Sequence, residues 1–300
     1  MANSKLEERD WRLLLGRIRD GKCTPVLGNG VHLQTSARYA QIAQSWADKH
    51  QFPALGAGSD LTRVSQFLAV YQDQMFPKEE LIKELKSFAL PDFSLPNEPL
   101  NVFASLPLPI YLTTDYTDFI IHALKFHNKD PKQEYCRWCD ELQSQKSIFD
   151  SAAGYEPTVA NPLVFHLHGH NKLAESLVLT EDNYLSFLVN ISKDERLIPP
   201  RIQRAVATSS LILLGFNPRD WGLRVILQGL INSKRGPMNR ISITVQLPPV
   251  SENPEDPRQQ HLQNYFEDYY GGVGFKAYWG TPEEFATELR QRWREFSDAE

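Results

Sequence analysis

The run Leu211-Ile212-Leu213-Leu214 is apolar without a break and stops at Gly215. A strand with apolar side chains on both faces suits the centre of a parallel sheet buried between two layers. Further extended segments fall at residues 23–27, 110–114, 163–168, 241–247 and 275–279, with 176–179 as a short additional candidate. Helical patterns lie between them. Trp11, Leu14, Leu15 and Ile18 share one side of a first helix, which Gly21 ends as a C-cap. Others are expected near 37–49, 61–71, 78–88, 118–126, 221–231 and 259–270. Thr180 caps a helix carrying Tyr184, Phe187 and Leu188. Thr281, Pro282 and Glu284 supply an N-cap, a first-turn proline and a capping-box acid for the last helix. Six strands alternating with helices predict an α/β protein: a Rossmann-like open parallel sheet of about six strands, helices on both faces. Pro25, lacking an N–H, predicts an incomplete ladder on the first strand. Residues 127–160 are polar and weakly periodic and read as an insertion or mobile surface segment. Residues 248–257 are linker-like.

Composition narrows the function classes. The 300 residues carry 32 Lys plus Arg against 37 Asp plus Glu, a net charge of −5. Such a chain gains no general attraction to nucleic acid or anionic membranes. No window holds the roughly 18 uninterrupted apolar residues of a membrane helix. The charged N-terminus lacks a signal-peptide apolar core. The three cysteines, Cys23, Cys136 and Cys139, are too few and odd in number for a disulfide framework. They fit a reducing cytoplasm.

In open α/β sheets ligands bind at the carboxyl ends of the strands, and four such ends carry polar groups or glycines. At Gly28-Asn29-Gly30, followed by His32, the glycines either admit a phosphate to backbone N–H groups or make only a tight turn. Thr113-Thr114-Asp115-Tyr116-Thr117-Asp118 offers hydroxyls and carboxylates, or simply caps a helix. His166, His168 and His170 alternate, which on a strand puts all three on one face. A pair of them suits a metal and one suits a general base. His168, beside Gly169, is the better base, whereas His166 suits a satisfied core position. No third metal ligand is evident, and Cys136-Arg137-Trp138-Cys139 is a single CxxC pair where structural zinc sites use two. No metal is expected. Gly215-Phe216-Asn217, followed by Asp220, presents an amide and a carboxylate suited to ribose hydroxyls, or a loop in which Asp220 caps the next helix.

Taken in order, these segments resemble the SIR2-like family of NAD-consuming domains, particularly its bacterial antiphage-defence branch. The matching positions are Gly28-Asn29-Gly30, the segment from Thr113 to Thr117, His168-Gly169, and Gly215-Phe216-Asn217 with Asp220. The segments 177–184 and 278–281 look like the same branch. Asn29 stands where the family has alanine, His32 where it has serine, Asp115 where it has asparagine and Thr117 where it has aspartate. The resemblance covers nearly the whole chain and implies one SIR2-like domain over 1–300, with a helical and mobile insertion near 115–160. It implies NAD⁺ as substrate, bound by Gly28, Asn29, Gly30, His32, Thr114, Tyr116, Gly215, Asn217 and Asp220. His168 would be the general base and Asp115 the group that positions water or offsets positive charge. The implied activity is cleavage of NAD⁺ to nicotinamide and ADP-ribose in abortive infection. The implied partners are further copies of the chain or a protein that senses infection. The alternative is a non-catalytic sensor of NAD⁺ or ADP-ribose. Protein deacylation ranks last, because that branch carries a four-cysteine zinc module.

Overall fold

The computed structural model describes residues 6–53, 56, 58–151, 154–217, 241–248 and 257–298. Seven parallel strands form one sheet: β1 (Cys23–Leu27), β2 (Ile110–Thr113), β3 (Lys132–Tyr135), β4 (Leu163–His166), β5 (Ser210–Leu214), β6 (Ser242–Gln246) and β7 (Phe275–Trp279). Their order is β3-β4-β2-β1-β5-β6-β7. The apolar run is β5, buried along its whole length next to the central strand β1. Leu211 and Leu213 face one core cluster, Ile212 and Leu214 the other. The period-2 alternation of a strand thus feeds both layers.

On one face lie α1 (Glu8–Arg19), α5 (Pro99–Ser105), α6 (Phe119–Phe126) and α11 (Pro282–Asp298), which contribute Trp11, Phe103, Ile120 and Phe285. On the other lie α8 (Glu181–Lys193), α9 (Pro200–Thr208) and α10 (Pro257–Gly272), with Phe187, Ile202 and Tyr270. A third cluster joins α2 (Leu33–Lys49), α3 (Leu61–Tyr71) and α4 (Phe76–Leu85) to Tyr116, Leu177 and Leu179. The expected caps form: Thr180 and Asn183 bond reciprocally at the start of α8, and Thr281 and Glu284 do so before α11. Gly21 takes φ +65° just past α1.

Pro25 leaves the mark its chemistry predicts. β1 pairs with β5 from Cys23 to Leu27, but with β2 only at Val26 and Leu27. Two strand expectations differ from the structure. The sheet has seven strands rather than about six, because Lys132–Tyr135 adds an edge strand to β4 inside the segment read as an insertion. Its apolar pattern is weak because Glu134 points inward, 1% exposed. The Glu134 carboxylate accepts from Ser147 Oγ (2.6 Å), Ile148 N–H (2.7 Å), Tyr135 N–H (2.8 Å) and the Arg137 guanidinium (2.8 Å). That satisfied carboxylate ties the short α7 (Ile148–Ser151) to the sheet edge. Residues 176–179 are not a strand. The helix expected over 221–231, Asp220, and nearly all of the linker-like 248–257 lie outside the described residues.

Candidate functional site

The carboxyl ends of β1, β5, β6 and β7 open into a cleft of about 1100 Å³, roofed by α2, α3 and α8. That volume lies at the upper end of small-molecule pockets and leaves room for a dinucleotide. Of the residues the sequence points to, Asn29, Gly30, Tyr116, Gly215 and Asn217 line it. Gly28, His32, Thr114, Asp115 and His168 are not among the lining residues. Tyr39, Arg63, Tyr184 and Trp279 also line the cleft, and none of them was expected as a site residue. Arg63 sits at the rim among Asp60 and Glu181, 3.5 and 3.8 Å away, all well exposed.

Of the two roles the sequence allows the glycines at the first strand end, the structure displays close backbone packing. Gly28 N–H donates to Leu214 C=O (2.8 Å) and Gly30 N–H to Gly215 C=O (3.0 Å). A Cβ on Gly28 would lie 2.4 Å from the Gly215 carbonyl oxygen, and one on Gly215 would lie 2.3 Å from Val31 N. Gly215 also takes φ +81°. These glycines let two loops meet backbone to backbone, and the N–H groups of Gly28 and Gly30 are already engaged. His32 precedes α2 without capping it by its side chain, so the first N–H groups of that helix are not satisfied from there. Its Nε2 instead meets Glu98 Oε1 at 2.5 Å. Glu98 in turn caps α5 by accepting from Leu100 and Asn101 N–H.

At the end of β2, Thr114 N–H bonds Leu27 C=O (2.9 Å), which fixes the strand beside the glycine loop. Half-buried Asp115 makes a local turn, its Oδ1 accepting from Thr117 N–H (2.7 Å). Burial raises its carboxyl above the usual range, opposed by the Thr117 hydrogen bonds and by His32 and His170. Tyr116 OH donates to Val178 C=O (2.7 Å).

The three histidines do not share a face. β4 ends at His166, so strand alternation stops there. Beyond it Gly169 takes φ +85°, with its Cβ position 2.1 Å from Ser176 C=O. His166 stacks on Tyr135 (5.3 Å) and meets His170 edge-on (4.7 Å). His170 Nε2 donates to Asp118 Oδ1 (2.7 Å), while its Nδ1 accepts from Lys172 N–H (3.1 Å), which sets the tautomer. Lys172 Nζ also pairs with Asp118 (2.7 Å). Burial pushes Asp118 up, but the hydrogen bonds from His170 and Lys172 outweigh it and hold the carboxyl well below the usual range. Asp118 is therefore a clamp on the His170 turn.

His168 goes the other way. It is 3% exposed and sits edge-on to Tyr184 (5.2 Å) and Phe187 (5.1 Å) of α8. Its Nε2 has no hydrogen-bond partner among the described residues. Burial pulls its pKa down to about 3, so the ring is neutral and able to accept a proton, but weakly basic. His166 is likewise buried and pulled to about 3, first by burial and then by the neighbouring His170, with Asp118 and the Asp115 backbone acting the other way.

Among the described residues no group of three or more His, Cys, Asp or Glu is arranged to hold a metal ion. Cys136 and Cys139 are free thiols turned to different carbonyls, those of Leu197 and Glu175. Burial pushes the Cys139 thiol up to about 12. Among the described residues no helix is long and apolar enough to cross a membrane.

The model of the SIR2-like domain family matches residues 109–270, a stretch that holds Asp115, His168, Gly215 and Asn217. No curated protein matches the chain.

Proposed function

The chain belongs to the SIR2-like domain family, and from that premise we propose that it is an NAD⁺ glycohydrolase. One observation carries the proposal. At the strand ends, a dinucleotide-sized cleft lined by Asn29, Gly30, Gly215 and Asn217 has, directly behind its Tyr184 wall, a buried neutral histidine whose Nε2 lacks a partner among the described residues.

The adenosine ribose would face Asn217, at the β5 end, with Asp220 nearby in sequence. Because the N–H groups of Gly28 and Gly30 are engaged, the pyrophosphate falls to the N-terminus of α2, whose Leu33 lines the cleft. A helix N-terminus attracts anions through its unpaired N–H groups and its dipole. The nicotinamide ribose would lie toward Asp115 and His168. There the C1′–N1 bond breaks and its electron pair goes to the pyridine nitrogen, so the cationic ring leaves as neutral nicotinamide. Water adds its oxygen to C1′, and its proton passes to His168. The Asp115 carboxylate offsets the positive charge that develops on the sugar. The products are nicotinamide and ADP-ribose.

We further propose that the enzyme works in the cytoplasm as an effector of antiphage defence, where NAD⁺ depletion halts metabolism. Assembly of the chain or a sensor partner would switch it on. One observation favours the second reading, a binding module without turnover: Tyr184 and Phe187 cover His168, and burial leaves it a weak base. Incubation of purified protein with NAD⁺, with nicotinamide release measured beside binding of NAD⁺ and ADP-ribose, separates the two. Binding without release overturns the glycohydrolase.

A further inference from the structure

The proposed reaction leaves one buried group in the cleft wall without a task. Tyr39, on α2, is 4% exposed and lines the cleft. Its ring is held edge-on to Tyr116 (6.2 Å) and tilted against Phe88 (5.3 Å), so packing sets the direction of its hydroxyl. The Tyr116 hydroxyl donates to a carbonyl, whereas that of Tyr39 has no partner among the described residues. Burial, reinforced by the charge of Asp115 and by the neighbouring Tyr116 and Tyr184, keeps Tyr39 a protonated phenol and hence a donor. Buried donors are almost always paired, and an exception calls for an explanation. An unpaired buried hydroxyl destabilises the free chain and gains its partner only when something binds.

We infer that Tyr39 is a binding residue for the nicotinamide-ribose half of NAD⁺, its hydroxyl donating to an oxygen of that half. The inference rests on the glycohydrolase reading. Position assigns the half. Tyr39 neighbours Asp115, at the end of β2, and Tyr116. The residues suited to adenosine, Gly215 and Asn217, follow β5 on the other side of the glycine loop.

Tyr39→Phe removes only the hydroxyl and tests this. Dissociation constants would be measured for NAD⁺, before appreciable turnover, and for ADP, which keeps the pyrophosphate but lacks the second ribose and the nicotinamide. Thermal unfolding would be followed without ligand. The expected result is a loss of about fivefold or more in NAD⁺ affinity. ADP affinity should be unchanged, and the unfolding temperature should be equal or higher, because an unpartnered buried hydroxyl is removed. Unchanged NAD⁺ affinity overturns the inference, as does an equal loss for ADP, which would mean the ring merely shapes the cleft. A lowered unfolding temperature with intact binding makes the hydroxyl structural and overturns it too. Wild-type protein that does not bind NAD⁺ overturns the glycohydrolase reading and this inference together.

Discussion

The rings of Tyr184 and His168 stand at 89° with their centroids 5.2 Å apart, Tyr184 in the cleft wall and His168 in the layer behind it. Phe187, one turn along α8, meets the same imidazole at 88°. Contact between His168 and a substrate therefore requires these two rings to move, and α8 is the element whose displacement would move both.

His168→Gln should reduce nicotinamide release by about 100-fold or more, the scale on which a lost general base acts. Glutamine fills much of the imidazole's space, so the far-ultraviolet circular dichroism spectrum should match the parent. A variant that releases nicotinamide at the parental rate would assign His168 a purely structural role and end the proposed mechanism.

Acid should destabilise the protein earlier than its carboxylates alone would. His166 and His168 are both held at about 3 by burial, against an ordinary value of 6.5. Between those values the unfolded chain takes up protons that the folded chain refuses. The contribution of the neutral rings is thus complete above about pH 6.5 and is lost as pH falls toward 3, by up to about 1.4 kcal/mol per pH unit for each ring. Urea unfolding at a series of pH values from 7.5 to 4 reads this slope. His168→Gln should make it shallower, and an identical slope in the variant would show that His168 titrates normally.

Gly28→Ala should lower stability by roughly 2–4 kcal/mol, because its Cβ would meet the Gly215 carbonyl oxygen at 2.4 Å, a backbone atom that cannot swing aside. Thermal unfolding measures it. A variant as stable as the parent would mean that the two loops separate readily, and then the engagement of the Gly28 and Gly30 N–H groups would not keep them from a phosphate.

Asp115→Asn should leave the fold intact, since the amide oxygen can still accept from Thr117 N–H in the turn. The swap removes charge with little change in volume. Nicotinamide release should fall about tenfold or more if the carboxylate offsets charge on the sugar. Equal rates would show that Asp115 does not face the scissile bond.

The sheet was legible wherever burial on both faces wrote itself as an apolar run. Leu211–Leu214 could be placed at the centre from its residues alone, and Thr180 and Thr281 announced their helices. The edge strand Lys132–Tyr135 was not legible, because its inward position is held by a satisfied carboxylate rather than by an apolar side chain. At the site, the loop residues Asn29, Gly30, Gly215 and Asn217 could be found because strand ends carry their signal in consecutive residues. The histidines could be found but not aimed, since alternation predicts direction only while the chain stays in a strand, and it leaves the strand at His166. Tyr39 was hidden for another reason. Tyr39 shares its helix face with Ile42 and Trp46, and an aromatic stripe that lines a cleft has the same spacing as one that fills a core.

The clasp between Gly28–Val31 and Leu214–Phe216 makes the first strand end impossible to transplant by itself. Grafted onto another parallel sheet, the Gly-Asn-Gly turn would lose the carbonyls that receive its amides and the glycine that leaves it space. Any scaffold meant to host it would have to import the end of the neighbouring strand as well, so the smallest portable unit of this cleft is a pair of adjacent loops some 185 residues apart in the chain.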